Sequence, residues 1–236
     1  AEAFLYNKLL KSIIIPEKVT VISRAMFRNC HNLKSITLGS QITTIENWAF
    51  QLCGIESITL PNTVTHIGQG AFLESSIKTF NIPENLTYLG VEAFCKSDIE
   101  EIVFGGNLAE ISARTFKDCD SLKSVTFNSS ITKIGESAFN HASNLETVIF
   151  SVGLTEIGKE AFCYCPKITT LLLPQSLISI GKEAFRYNSG LTQLELPSTL
   201  TKIEDSAFIY CEKLKSVTIP ASLIDGGATI FAACGL

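Results

Sequence analysis

Residues 27–50 read FRNCHNLKSITLGSQITTIENWAF, and this stretch decides the fold because its pattern recurs along the whole chain. A phenylalanine is followed three residues later by Cys30, and the stretch ends on Ala49-Phe50. A strict period in this range is typical of a solenoid, in which each repeat packs on its neighbours. Phenylalanines spaced by 22 or 23 residues mark the repeats: Phe4, Phe27, Phe50, Phe72, Phe94, Phe116, Phe139, Phe162, Phe185, Phe208 and Phe231.

Within each repeat, the first predicted element is a half-buried strand. Residues 35–38 alternate polar and apolar side chains, and so do residues 57–60, 124–127 and 216–219, a pattern that favours strands. Ten such strands stacked in parallel would lie about 4.8 Å apart. A turn residue such as Pro61 or Asn128 follows, then a second short strand or extended segment. We expect the Ala-Phe step to lie on a tight helical turn, with phenylalanine filling the core.

The cysteines follow the same period. Six of the eight lie three residues after a repeat phenylalanine, where other repeats place asparagine, serine or alanine. This slot therefore predicts a small buried side chain that bonds to the turn backbone. The ligand spacing of a zinc site is absent, and stacked side chains rarely have the dihedral of a disulfide, so free thiols are favoured. Cys95 and Cys163 follow the phenylalanine directly, and we expect them to be exposed and prone to oxidation.

Composition excludes several function classes. Of 236 residues, 46 % are hydrophobic and 18 % charged, and the net charge is −4 without a basic run. Nucleic acid and anionic membranes are therefore poor partners, and no apolar stretch reaches the roughly 18 residues that direct membrane insertion requires. His31, His66 and His141 are scattered, so no catalytic set converges. We expect no enzyme activity, no cofactor and no metal.

The repeat resembles a known family most clearly in residues 61–72 and 211–220. It is similar to the leucine-rich repeats of BspA-like and Treponema pallidum-type surface proteins. The resemblance implies a right-handed leucine-rich-repeat solenoid with a parallel β-sheet on its concave side and short strands and helical turns elsewhere. It covers residues 1–236 as one solenoid domain of about ten to eleven repeats, and it brings no catalytic residues to carry over.

The resemblance also implies a location and a kind of partner. Members of that family are typically exported, and some attach to extracellular matrix or host surface proteins. The chain begins and ends within the repeat pattern and shows no obvious polar cap at its N-terminus, so we expect a mature fragment or a piece of a longer chain whose targeting segment is missing. Near the C-terminus Gly226 and Ile230 depart from the pattern, as a closing repeat or the approach to another domain would. The expected location is the cell surface or outside the cell, with the cytoplasm as the alternative.

The concave strand face is the predicted site of contact with a protein partner. Outward positions there are mostly serine or threonine, which strand propensity alone explains. Apolar side chains on a solvated face are more informative, and three of them cluster among threonines with a polar rim. A structural spacer and an intracellular scaffold are the alternative functions. The candidate residues are Glu101, Val103, Thr126, Thr147, Ile149, Thr170, Leu172, Gln193 and Glu195.

Overall fold

Each coil of the chain repeats one order of elements: a short strand, a turn, a second short strand and the Ala-Phe turn. The computed structural model describes residues 1–127 and 131–236, and Asn128, predicted as a turn residue, lies outside them. The described residues hold nineteen strands and no helix. All strand pairs are parallel and join successive coils, which confirms the predicted parallel-strand solenoid.

The first strands of the coils form one face of the solenoid, which we call the first-strand face. Their side chains alternate between outward and core-facing positions, as the sequence pattern predicts. They pair in four separate ladders: β1 with β3, β5 with β7, β9 to β13, and β15 with β17. The strands are β1 (Ser12–Ile14), β3 (Ser35–Thr37), β5 (Ser57–Ile58), β7 (Thr79–Phe80), β9 (Glu101–Phe104), β11 (Ser124–Phe127), β13 (Thr147–Ile149), β15 (Thr170–Leu172) and β17 (Gln193–Glu195).

The second strands form a more continuous face, the second-strand face. They pair in one ladder of four strands and one of six, so the expected second short strand is confirmed. The strands are β2 (Val21–Ile22), β4 (Thr44–Ile45), β6 (His66–Ile67), β8 (Tyr88–Leu89), β10 (Glu110–Ile111), β12 (Lys133–Ile134), β14 (Glu156–Ile157), β16 (Ser179–Ile180), β18 (Lys202–Ile203) and β19 (Asp225–Gly226).

The prediction of a tenth first strand at residues 216–219 is wrong. These residues form no strand and belong to no ladder, and Ile219, at a core-facing position of the pattern, is 49 % exposed. Alternating residue types decide which side chains face the core, but they do not align the backbone with the neighbouring coil. The first-strand face therefore has nine strands in the described part of the chain.

The repeat phenylalanines form one continuous stack through the core. Successive rings lie nearly parallel, with centroids 5.0–5.4 Å apart from Phe4 to Phe231. All but the two terminal rings are fully buried. The preceding alanines, such as Ala49 and Ala138, are also fully buried. The assignment of phenylalanine to the core and of alanine to close contact between coils is confirmed.

The expected helical turn at the Ala-Phe step is wrong. The residues two before and two after each repeat phenylalanine have positive φ, for example Ala25 (51°) and Asn29 (62°) around Phe27. Left-handed residues interrupt a helix. Their N–H groups, and that of Phe27, donate to carbonyls of the next coil, with 2.8 Å between Phe27 N and Ala49 O. The N–H groups of the turn therefore bond to the next coil rather than to carbonyls along a helix.

Candidate functional site

The nine predicted contact residues lie on the outward side of β9 to β17. Eight are exposed and Thr126 is half-buried. Leu172 is 71 % exposed, whereas its neighbours Leu171 and Leu173 are buried in the core. Ile149 and Val103 are 53 % and 44 % exposed. The strand period thus places three large apolar side chains in solvent, where they offer surface that a partner could bury.

Strand register determines which of these side chains are neighbours. Thr126 pairs with Val103 on one side and Ile149 on the other, so these three form one row. Leu172 pairs with Glu195 in a separate ladder, and Thr170 pairs with Gln193. No pairing joins β13 to β15 within the residues described. The predicted patch therefore consists of two groups that meet at an interruption of the sheet.

Charged side chains line the edge of this face just before the first strands. Lys78 bonds Glu56 at 2.9 Å and Lys123 bonds Glu100 at 3.0 Å, each pair bridging adjacent coils. The hydrogen bond from Lys78 lowers the pKa of the Glu56 carboxyl. Such exposed pairs add little stability. In the coils of Leu172 and Glu195 the same edge position carries threonine, so this edge is uncharged beside the most exposed apolar side chain of the predicted cluster.

One exposed apolar residue of this face lies outside the predicted cluster. Ile14 on β1 is 76 % exposed and occupies the same outward row as Thr126 and Ile149. It is separated from the cluster by three coils, whose outward residues in this row are polar. Ile14 therefore serves below as a matched control for the cluster.

The cysteine slot has the predicted role. Five of its six cysteines donate from Sγ to the carbonyl of the preceding repeat's phenylalanine at 3.0–3.5 Å, as Cys119 does to Phe94. All eight cysteines are free thiols. No group of three or more potential metal ligands forms among the described residues. Likewise, no described helix is long and apolar enough to span a membrane.

The expected exposure of Cys95 and Cys163 is wrong. The two residues are only 7 % and 5 % exposed. Larger side chains at this position, such as Arg28 and Lys117, are half-buried, so a side chain as short as cysteine is covered completely. Burial raises the pKa of Cys95 to about 11 and that of Cys163 to about 12, so neither thiol forms the reactive thiolate readily.

Buried thiols predict that the protein loses stability in alkali. Burial raises the pKa of Cys53 and Cys119 from 9.0 to about 12. Above pH 9 the unfolded chain releases thiol protons that the folded chain retains, so the free energy of unfolding should fall as pH rises from 9 to 11. Urea midpoints measured from pH 7 to 11 test this, and a midpoint unchanged over that range would contradict it. The Cys53→Ala variant, with one thiol fewer, should show a shallower decline.

The histidines and the tryptophan occupy separate surface positions. His66 stacks on Tyr88 with ring centroids 4.5 Å apart, and His141 stacks on Tyr164 at 4.4 Å. His31 is exposed. Trp48 is half-buried, with Arg24 over its ring. The structure therefore brings no Ser/His/Asp set together in the described part of the chain, although His66 and Arg24, which lies over Trp48, line one depression of the first coils.

Comparison with protein families gives a match over the whole chain. A model described as a BspA-type leucine-rich repeat region, in six copies, matches residues 1–123 and 109–236. Among curated proteins, none matched the sequence.

Solved structures of bacterial proteins are similar over long stretches. A leucine-rich cell surface protein from Faecalibacterium prausnitzii A2-165 is 26 % identical with a TM-score of 0.55, over 97 % of this chain and 62 % of its own. This chain thus spans about three fifths of that protein's length. The T. pallidum leucine-rich repeat protein is 24 % identical over 57 % of this chain and 76 % of its own, with a TM-score of 0.50.

The pneumococcal vaccine antigen PcpA has the same fold. It is 19 % identical over 94 % of this chain and 55 % of its own, with a TM-score of 0.50. At this identity the likeness concerns the fold alone.

Proposed function

The chain belongs to the BspA-type leucine-rich repeat family, and from that premise we propose that it is a non-enzymatic, adhesive protein-binding module at the cell surface. Leucine-rich repeat solenoids present extended surfaces to protein partners. The partner class we propose is an extracellular matrix or host surface protein. The description of the Faecalibacterium relative as a cell surface protein supports the location.

One observation carries the proposal. Ile149 and Leu172 are large, apolar and more than half exposed on a strand face whose other outward positions are mainly polar. Their exposure costs solvation free energy that a partner's apolar surface would recover, at about 25 cal/mol per Å² buried. The threonines around them and the rim of Glu101, Gln193 and Glu195 provide hydrogen-bonding groups, the usual arrangement of a protein interface with an apolar centre.

Adhesion by such a face would depend on how many copies of the module bind at once rather than on one tight contact. The apolar patch is small, because only three large side chains contribute to it. Many copies displayed on one cell would bind a surface together far more strongly than each copy alone. A modest affinity for the isolated module is therefore expected.

Binding to immobilised matrix and plasma proteins tests the proposal. We expect saturable binding by the natural chain and loss of at least ten-fold in affinity for the Ile149→Asp, Leu172→Asp variant, because each carboxylate would have to be desolvated at the interface. Far-UV circular dichroism should be unchanged, since both positions are exposed.

The Ile14→Asp variant is the matched control. It places the same charge in the same outward row, but four coils before the first residue of the cluster, Val103, and it should bind like the natural chain. Undiminished binding by the double variant would overturn the assignment of the patch. If no protein of the panel binds, a spacer that displays another domain becomes the better description of this solenoid.

A further inference from the structure

A polar depression lies at one corner of the first three coils, away from the proposed protein-binding patch. It is lined by Arg24, Thr44, Glu46, Asn47 and His66. Thr44 and His66 belong to the second-strand face, and the other three residues follow β2 and β4 toward the Ala-Phe turns. We call these five residues the Arg24 corner.

The repeat itself provides the comparison that marks this corner as unusual. At the position of Glu46, four residues before a repeat phenylalanine, a Cβ on Gly158 would lie 2.8 Å from the carbonyl oxygen of Ile134. Glycine fits there in most coils, and glutamate replaces it at Glu46 and at Glu204, so Glu46 alone does not set this corner apart. Trp48 is a second departure. At the position of Glu46, glycine stands in six coils: Gly68, Gly90, Gly135, Gly158, Gly181 and Gly227.

The neighbouring coil makes room for the tryptophan. A Cβ on Gly70 would lie 2.7 Å from Cδ1 of Trp48, and Gly70 has a φ of +56°. All the remaining coils have a residue with a side chain at this left-handed position, such as Ala25 on the coil before Trp48. The indole can therefore extend over Gly70. A side chain at position 70 would collide with it, so tryptophan at position 48 requires glycine at position 70.

Arg24 is held in place and has no ionic partner among the described residues. Its guanidinium carbon lies 4.8 Å from the Trp48 ring centroid, a stacking arrangement that reduces its conformational freedom. Its backbone N–H donates to Glu46 Oε2 at 2.6 Å. In the described part of the chain, no salt bridge involves the Arg24 guanidinium. Its planar pair of donors is thus available to an external carboxylate.

The other side chains of the corner retain hydrogen-bonding capacity. Asn47 accepts from the backbone N–H of Gln69 through Oδ1 at 2.9 Å, and its amide N–H groups make no bond within the described chain. His66 is fixed by its stack on Tyr88, and its ring nitrogens likewise have no described partner. These groups suit a ligand rich in hydroxyls, whereas an inserted peptide would find no apolar pocket for an anchoring side chain.

We propose that the Arg24 corner binds a hexuronate unit of an acidic oligosaccharide. Arg24 pairs with the sugar carboxylate, and Asn47, Thr44 and His66 bond the ring hydroxyls. The second carboxylate oxygen of Glu46 accepts from a sugar hydroxyl. The negative charge of Glu46 also disfavours doubly charged phosphate groups at the same place. This site is independent of the proposed protein-binding patch, since the two share no residue and lie on different strand faces.

Trp48 provides a direct measurement because it is the sole tryptophan of the chain. We expect saturable changes in its fluorescence on titration with trigalacturonate or a glucuronate-containing hyaluronan tetrasaccharide. The methyl ester of trigalacturonate, which lacks the charge, should bind at least ten-fold more weakly. Calorimetry of the same mixtures detects binding that leaves the fluorescence unchanged. Absence of binding to both acidic sugars would overturn the proposal, and so would equal binding of triglutamate, which carries carboxylates without sugar hydroxyls.

Single substitutions test whether affinity depends on the Arg24 corner or on positive charge anywhere on the surface. Arg24→Gln should lose at least ten-fold in affinity, and Arg24→Lys should lose most of it because lysine lacks the planar pair of donors. Lys182→Gln is the matched control, because Lys182 occupies the equivalent position seven repeats later and its N–H is likewise bound by a glutamate, Glu204. It should bind like the natural chain. Equal losses in Arg24→Gln and Lys182→Gln would contradict a site at the Arg24 corner.

Discussion

Replacing Phe139 by alanine is expected to lower the free energy of unfolding by about 3–5 kcal/mol, the usual cost of removing a buried phenylalanine. Phe139 is fully buried. Its ring stacks on Phe116 at 5.2 Å and Phe162 at 5.0 Å, and Phe127 meets its edge at 6.0 Å. Because each coil packs only on its neighbours, no distant part of the chain can close the cavity, and both adjoining coils lose packing.

Urea unfolding followed by circular dichroism measures this loss. Phe4→Ala is the control, because Phe4 is half-buried at the end of the stack and contacts one ring, Phe27, at 5.4 Å. It should cost clearly less than Phe139→Ala. Equal costs for the two variants would mean that the ring stack does not determine the stability of the central coils.

Replacing Asn188 by alanine is expected to cost about 2–3 kcal/mol, because buried groups lose hydrogen-bonding partners worth about 1–3 kcal/mol each. The side chain is fully buried. Its amide donates to the carbonyls of Phe162 and Phe185 at 3.0 and 2.9 Å, and its oxygen accepts from the N–H of Cys165 at 3.0 Å. One side chain thus joins the turns of two coils.

Another coil shows why the loss should be specific to this position. Ala142 occupies the same slot, and there the backbone closes the turn by itself, with 3.2 Å between Ala142 N and Phe139 O. In the coil before Asn188, the equivalent N–H and carbonyl belong to Cys165 and Phe162. Both bond to the side-chain amide of Asn188 instead of to each other. The test compares urea midpoints of Asn188→Ala and Asn188→Cys. Cysteine should lose less, since a thiol in this slot donates to the preceding phenylalanine carbonyl elsewhere. Midpoints like that of the natural chain in both variants would contradict this role.

Much of the fold could be predicted because the same residue types recur at the same positions of successive repeats. The period of the phenylalanines indicated the stacked core, and the recurrence of small residues in the cysteine slot indicated a buried turn contact. Both are visible in the hydrogen bonds of Cys119 and the burial of Phe139. A single repeat would not have distinguished such positions from chance.

The outward positions of the candidate patch could be predicted from strand period alone, and Leu172 is exposed as expected. The interruption between β13 and β15 could not be predicted, because pairing depends on how two coils align and not on the residue types of either. The Arg24 corner was missed for a similar reason. Arg24 and His66 are 42 residues apart in the sequence and line one depression only when coils stack, although the bulk of Trp48 in its repeat position was a signal within the sequence.

The sequence by itself determined the solenoid, its period, its phenylalanine core and which strand residues face outward, because these follow from apolar spacing that local geometry converts directly into faces. Only the tertiary structure decided the shape of the Ala-Phe turn and the burial of Cys95 and Cys163. Non-glycine residues such as Ala25 and Leu52 adopt a left-handed backbone there that their own preferences disfavour. They hold it because the next coil accepts their N–H groups, and that partner exists only after the coils have stacked.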